Sequence, residues 1–151
     1  MSDDLTFMMG EFEAAFPTDR QYANNHMWGQ LRDDHWRFGF TAYAVRLLQD
    51  VYFLEWDVEP GSPLRQRQQM GAIESKKAES DLFSPLHGTV VQFNETLMND
   101  PSHINVDKYT DGWLFDMDGD GGGLMEAYDY IVHLESVWEI TQRTIKGQLN
   151  Q

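Results

Sequence analysis

The chain has 151 residues, 41% of them hydrophobic and 13% aromatic, which is enough for one domain with a real core and excludes a disordered tail. Its net charge of -14 excludes a nucleic-acid backbone or an anionic membrane as partner and favours proteins with basic faces. It contains no cysteine, so no disulfide staples it, and any thiol chemistry must come from an attached cofactor.

No apolar run is long enough to span a bilayer. The start, MSDDLTFMMGEF, lacks the basic residues and small-residue cleavage site of a secretion signal, so a cytoplasmic protein is expected. Within residues 3–16, Leu5, Met8, Phe12 and Phe16 recur at helical spacing. Ser2 or Asp3 can cap and Pro17 stops, so the pattern predicts a short amphipathic helix. WRFGF (36–40) reads as a strand. TAYAVRLLQ (41–49) reads as one or two helical turns capped by Thr41. VYFLEWDV (51–58), rich in aromatic and branched residues and closed by Pro60-Gly61-Ser62-Pro63, predicts a buried strand and then a turn.

MGAIES (70–75) and AESDLFS (78–84) are the arms of a hairpin with Lys76 and Lys77 at its tip. TVVQFN (89–94) is a further strand, NETLMNDP (94–101) a capped helical turn ended by Pro101, and GWLFDM (112–117) the last strand. From Leu124 the pattern changes. Leu124, Tyr128, Ile131, Leu134, Trp138, Thr141, Ile145 and Leu149 step by three or four, which predicts a long amphipathic helix over about 124–149. Many short strands with helices at both ends and one in the middle suggest a small β-barrel or sandwich with helical additions.

A lysine at a solvated hairpin tip is a poor catalytic base but an accessible target for a modifying enzyme that must surround it. DMDGDGGG (116–123) matches the opening of a calcium loop with Asp116, Asp118, Asp120 and Gly121. Its twelfth position, however, is Ala127 and a strand precedes it, so an acidic glycine-rich link is the better reading. His26, His35, His87, His103 and His133 share no tight metal spacing, and no metal site is expected. The five tryptophans fall on predicted elements and read as core. No GxSxG, HExxH, P-loop or GxGxxG occurs.

Glu74-Ser75-Lys76-Lys77-Ala78-Glu79-Ser80-Asp81, followed by Ser84-Pro85 and Gly88, resembles the lipoyl-attachment hairpin of the glycine-cleavage H-protein family, E-S-V-K-A-x-S-D, then S-P, then G. Tyr22, His26, Met27 and Trp28 resemble its Y-x-x-x-H-E-W. Phe40-Thr41-Ala42-Tyr43-Ala44 resembles its I-T-D-Y-A, and Asp50–Glu55 follows its G-D-V-V-F-V-E. Asn94-Glu95-Thr96-Leu97, Pro101, Asn105, Tyr109 and Gly112-Trp113-Leu114 continue the pattern, over residues 22 to 117 in all.

The resemblance implies a mainly β, barrel-sandwich hybrid fold of the lipoyl-domain type, one carrier domain over 1–151 with its core at about 22–117. It implies lipoic acid in amide linkage to Lys77, with Glu74, Gly88, Asp81 and Lys76 read by a lipoate-protein ligase or other lipoate-attaching enzyme. It also implies a cleft for the arm near His26, Met27 and Asp81. Such a protein is a carrier and not an enzyme. Its tethered arm holds the reactive end at high effective concentration for each partner, and a chain without cysteine cannot trap that arm in a mixed disulfide.

The departures bear on what the arm carries. In glycine cleavage the loaded arm bears a cationic aminomethyl group, docked near the glutamate of H-E-W and the aspartate after the lysine. Here Asp81 is kept and the glutamate position is Met27, whose thioether cannot pair with an ammonium but suits sulfur. ESKKAESDLF is similar to the H-protein-like lipoate-binding proteins of bacterial sulfur oxidation. The sequence therefore places oxidative sulfur metabolism first, with a heterodisulfide-reductase-like complex as partner. Glycine cleavage is the alternative, with glycine decarboxylase, aminomethyltransferase and dihydrolipoamide dehydrogenase.

Overall fold

Gly10 decides how the chain begins. A computed structural model describes residues 4–149, of which 142–149 by backbone alone. Its first elements are two strands, β1 (Leu5–Met9) and β2 (Phe12–Phe16), paired antiparallel with Met9 opposite Phe12. The expected helix over 3–16 is therefore a hairpin. Gly10 has φ 66° at the first position of the two-residue loop Gly10-Glu11, where a hairpin turn of the right twist needs positive φ. The same stretch also alternates between inward and outward side chains. Met9, Ala14 and Phe16 are buried while Thr6, Met8 and Glu13 face out. What selects the strand period is a partner far along the chain: Phe7 meets the Trp138 ring edge-on at 6.4 Å and Phe16 meets Tyr130 at 5.4 Å. The proposed caps Ser2 and Asp3 lie outside the described residues.

The remaining strands are β3 (Gln21–Tyr22), β4 (Met27–Arg32), β5 (His35–Phe40), β6 (Val51–Trp56), β7 (Pro63–Leu64), β8 (Gln69–Ser75), β9 (Glu79–Phe83), β10 (Gly88–Phe93) and β11 (Phe115–Gly119). One sheet has the order β3-β4-β5-β11-β10-β7 and another β6-β8-β9, every pairing antiparallel. The fold is mainly β, but its sheets are not closed into a barrel. The last strand begins three residues later than the sequence suggests, because Gly112–Leu114 are still turning out of the preceding loop.

Helix α1 (Ala42–Leu48) starts where Thr41 predicts, its side chain accepting from the Ala44 N–H. Helix α2 (Glu95–Asn99) is capped the same way by Asn94, followed by the short α3 (His103–Val106). Strand β6 is not buried as expected. Val51 is buried, but Tyr52 and Phe53 are exposed, because β6 is the edge of its sheet and only one face meets the core. The long helix α4 spans Ala127–Leu149, starting three residues after Leu124, which packs instead against the main core. The side chains of Ile145 and Leu149 lie outside those described. Among the described residues no helix is long and apolar enough to cross a membrane.

Two apolar clusters hold these parts together. The first joins Met27, Phe38 and Phe40 of the larger sheet to Met70, Ile73 and Leu82 of the smaller. The second joins the first hairpin to α4 through Phe16, Tyr22, Trp28, Tyr43, Tyr130 and Leu134. At 25 cal/mol per Å², each fully buried aromatic ring or Leu contributes about 2–3 kcal/mol. Helix α4 is thus bound along its first half and is not a free arm.

Candidate functional site

Strands β8 and β9 pair from Gln69 opposite Phe83 to Glu74 opposite Glu79, leaving Ser75 to Ala78 as the tip. Neither Lys76 nor Lys77 has positive φ, so the two-residue loop is not of the primed type that hairpins favour. Ser75 compensates. Its N–H donates to the Ala78 carbonyl at 2.8 Å, while its hydroxyl accepts from the Ala78 N–H at 3.2 Å and lies 3.1 Å from the same carbonyl. Ser75 is buried, whereas Lys76, Lys77, Ala78 and Glu79 are exposed. Ser75 is therefore the residue that holds the tip closed, a role the sequence reading did not assign.

The two lysines differ in how the backbone treats them. The Lys76 N–H donates to the Asp50 carbonyl at 2.8 Å, pinning it to the start of β6. That start is itself held by Asn105, whose side chain accepts from the Val51 N–H at 2.9 Å and donates to the Gln49 carbonyl at 2.6 Å. Lys77 thus projects from a braced base. Gln49 in this brace has φ 59° and ψ -138°, a region where a side chain is strained, and it occupies the glycine position of the family's G-D-V-V-F-V-E pattern. Gln49→Gly is expected to stabilise the protein by about 1 kcal/mol, the relief of strain exceeding glycine's added freedom when unfolded. Urea midpoints at unchanged slope measure it, and a lower midpoint would show that the Gln49 side chain holds the brace.

Beside the hairpin lies a cavity of about 360 Å³. Its walls are Asn25, His26 and Met27, then Phe40, Ala44, Leu47 and Leu48, then Ile73 and the whole run Ala78–Phe83. His26, Met27 and Asp81 are therefore brought together, and the cleft flanks the tip that carries Lys77. Met27 is 1% exposed and forms part of the floor. Asp81 is exposed at the rim and accepts from Gln69 Nε2 at 3.3 Å. Glu74, half-buried on β8, faces Glu79 across the strand pair and is not a cleft residue.

Gly88 sits apart from the tip, at the start of β10 opposite Gly119. A Cβ there would overlap the Asp118 carbonyl oxygen, so close strand packing alone demands glycine. Any role as a recognition mark comes on top of that.

His26 is built into the body. It has φ 69°, a conformation that histidine tolerates better than most residues. Its Nδ1 is 2.9 Å from the Tyr130 hydroxyl, which in turn is 3.0 Å from Thr41 Oγ1. Its ring lies 4.7 Å from that of Tyr43 and 6.1 Å from that of His133. Burial, helped by His133, lowers its pKa to about 4, so it is neutral at physiological pH. Burial likewise pushes the Tyr130 hydroxyl far above its usual range. Helix α4 thus supports the cleft from behind.

The calcium-loop reading of residues 116–123 does not survive. Asp116 is wholly buried and accepts from Arg37 Nε at 2.9 Å, Arg37 Nη2 at 3.2 Å and Gln92 Nε2 at 2.7 Å, with His35 Nε2 at 3.4 Å. Arg37 also lies 3.8 Å over the Trp113 ring. Asp120 accepts from the Gly122 N–H at the head of a 3₁₀ turn, Gly121–Gly123. Among the described residues no three acidic or histidine side chains are gathered as a metal site would need.

The sequence pattern of a family described as "Glycine cleavage H-protein" matches residues 20–138. The chain belongs to that family. A protein of Natronomonas pharaonis described as a probable glycine cleavage system H protein is 40% identical over 117 residues, 76% of this chain and 92% of the relative. The glycine cleavage system H protein of Synechocystis is 38% identical over 130 residues, 82% of this chain and 98% of the relative. The crystal structure of a glycine cleavage system H protein from Mycobacterium marinum superposes with a TM-score of 0.70 at 33% identity, covering 76% of this chain and 95% of that one. H-proteins of this family are carriers, not enzymes, and hold lipoate covalently on a lysine. The match extends beyond residue 117 into α4, which agrees with the packing of that helix behind the cleft.

The residues fit such a group. The exposed tip offers an amine to an attaching enzyme, and the adjoining cleft is lined by Met27, Phe40, Leu47, Leu48 and Ile73, apolar enough for an acyl chain ending in sulfur. Asn25 is one of the cleft residues that sequence reasoning missed, with Phe40, Leu47, Leu48 and Ile73. Its Nδ2 donates to the Phe83 carbonyl at 3.1 Å, spanning the cleft from the β3–β4 turn to β9, and no sequence pattern announces that contact.

Proposed function

We propose that this chain is a lipoyl carrier of the glycine cleavage type, with Lys77 as the attachment point. The observation that carries the reading is the exposed Lys77 on a braced hairpin whose own strand β9 walls an apolar cleft. When bound, lipoate supplies a sulfur pair that cycles between disulfide and dithiol and can accept a group on sulfur. Everything else falls to the chain's own residues. The Ser75–Ala78 closure and the Asp50–Lys76 hydrogen bond aim Lys77 outward. Glu74 and Asp81 give a lipoate-attaching enzyme an acidic frame, and Lys76 sets the register within it. Met27, Phe40, Leu48 and Ile73 exclude water where the arm rests, with His26 neutral beside them. Glycine decarboxylase, aminomethyltransferase and dihydrolipoamide dehydrogenase are then the partners, and the charge of -14 suits basic docking faces on them.

The relatives reverse the order in which the sequence placed the two roles, since those compared are glycine cleavage H proteins. The sulfur-oxidation reading, with a heterodisulfide-reductase-like partner, keeps one observation in its favour. The carboxylate that would hold a cationic cargo is replaced by the buried thioether of Met27.

One assay separates the two. The lipoylated protein, with its arm reduced, is offered to a glycine decarboxylase, and carbon dioxide release from glycine is followed. Release comparable to an authentic H protein supports glycine cleavage. No release from a fully lipoylated carrier refutes it and leaves sulfur transfer.

A further inference from the structure

Two arginines stand without a partner in a chain of 25 acidic and 11 basic residues. Arg20 and Arg37 pair with Asp19 and Asp116, Arg46 lies over the Phe12 ring, and Arg32 Nη1 donates to Gln30. Among the described residues the guanidiniums of Arg65 and Arg67 make neither a hydrogen bond nor an ion pair, and both residues are exposed. They belong to one turn, Arg65-Gln66-Arg67-Gln68, which links β7 to β8 and is closed by the Gln68 N–H on the Arg65 carbonyl at 3.0 Å. The turn is fixed from outside the arginine side chains. The Arg67 N–H donates to the Ser84 carbonyl at 2.8 Å, the Ser84 N–H to the Gln68 carbonyl at 2.9 Å, and the Arg65 N–H to Gln68 Oε1 at 2.9 Å. Arg67 moreover has φ 71° at the third position of the turn, where glycine or asparagine is the easier residue. Folding alone would be served better without that side chain.

Each arginine edges its own cavity. Arg67, Gln66, Asn24, Phe83 and Pro85 help to line one of about 410 Å³, and Arg65, Gln68, His87 and Thr89 help to line one of about 350 Å³. No carboxylate lines either. Asp57, Asp81 and Asp118, which strand register brings to this end of the sheets, stay outside both, and Asp81 is engaged by Gln69 Nε2 at 3.3 Å. Phe83, in the wall shared with Arg67, is 40% exposed. The face therefore runs against the sign of the whole chain.

We propose that this turn docks an acidic segment of a partner protein, its carboxylates paired to Arg65 and Arg67 and an apolar side chain set on Phe83 and Pro85. A guanidinium fork matches a carboxylate and sheds its water readily. Both forks sit on one turn, within reach of a single extended segment, with the amides of Asn24, Gln66 and Gln68 beside them for its backbone. A free small anion would meet one arginine in open water. A nucleic acid or an anionic membrane would bring many charges against a chain of -14, whereas a short segment brings a few. The surface lies at the far end of the hairpin from Lys77, since Gln69 to Ser75 is six steps of strand, about 20 Å. A partner that grips it leaves the tip free and keeps the tip at high effective concentration for its own active site. That consequence rests on Lys77 being the attachment point, but the docking itself does not.

The probe is a fluorescein-labelled peptide of alternating aspartate and glycine with one central leucine, titrated with the full chain and read by fluorescence anisotropy. It should bind, and its asparagine counterpart should not. Arg65→Gln and Arg67→Gln should each weaken binding about fivefold, and the two together about twentyfold. Raising sodium chloride from about 50 to about 300 mM should weaken it as well. Arg67→Gly should lose the same affinity with a urea midpoint no lower than that of the wild type, which separates the side chain's binding role from any role in folding. Equal binding of the asparagine peptide, or unchanged binding by the double variant, overturns the proposal. So does displacement by inorganic phosphate beyond that by sodium chloride at equal ionic strength, which would make this a small-anion site, or equally tight binding of a labelled oligothymidylate. Lys77→Gln should bind the peptide as the wild type does. A chain that takes no lipoate at Lys77 therefore sinks the attachment reading and leaves the docking standing, whereas a lipoylated chain that ignores the peptide sinks only the docking.

Discussion

Lys77→Arg should abolish lipoate attachment completely while changing stability by no more than about 0.5 kcal/mol, and Lys76→Arg should leave attachment in place. The argument is geometric. Both lysines are exposed at one tip, so accessibility does not distinguish them. What does is the Lys76 N–H bonded to the Asp50 carbonyl, which fixes the register of the tip against β6. An enzyme gripping the acidic frame of Glu74, Glu79 and Asp81 then meets one defined lysine. An arginine at 77 keeps the charge and the solvation but offers no amine that can be acylated. The turn itself is untouched, because it is closed by Ser75 and Ala78 and not by either lysine. Intact mass after co-expression with a lipoate-protein ligase and added lipoate decides the matter. A lipoyl increment on Lys77→Arg that vanishes in Lys76→Arg would move the attachment point by one residue.

The parts of this molecule legible in the sequence are those whose cause is local. Thr41 and Asn94 announce their helices because a cap needs only its own side chain and N–H groups two or three residues on. The 70–84 hairpin is legible for the same reason, and so is the gathering of His26, Met27 and Asp81, through the resemblance. The failures have non-local causes. Leu5, Phe12 and Phe16 fit either a helix or a hairpin, Met8 fits only the helix, and the choice is made by Trp138 and Tyr130 more than a hundred residues away. Tyr52 and Phe53 look like core residues until β6 is seen to be an edge. The Asn25 bond to the Phe83 carbonyl is invisible because a side-chain contact across 58 residues has no sequence signature. Nor could the sequence say what α4 touches, since a stripe of apolar residues names no partner.

That last contact makes the second large prediction, an acid-sensitive cleft. His26 has its pKa lowered to about 4 from 6.5, first by burial and then by repulsion from His133. When unfolded it binds a proton below about pH 6.5, but when folded it resists until about pH 4. Acid therefore favours the unfolded chain across that window. The stability associated with neutral His26 is complete above pH 6.5 and is lost as pH falls, by about 2 kcal/mol at pH 5 and about 3 kcal/mol at pH 4. The groups that face the ring are Tyr130 and His133 of α4, Tyr43 of α1 and, through the Tyr130 hydroxyl, Thr41. None supplies a negative charge, because burial holds both tyrosines neutral. The many carboxylates also titrate toward pH 4, so the informative quantity is a difference. His26→Asn tolerates the positive φ and cannot take up the proton. Urea unfolding of the two proteins from pH 7 to 4 should converge as pH falls, the wild-type losing its excess. Parallel curves would mean that water reaches His26, and hence that α4 does not close the back of the cleft. Convergence would establish that the helix far downstream of the lysine hairpin sets the environment in which the arm rests.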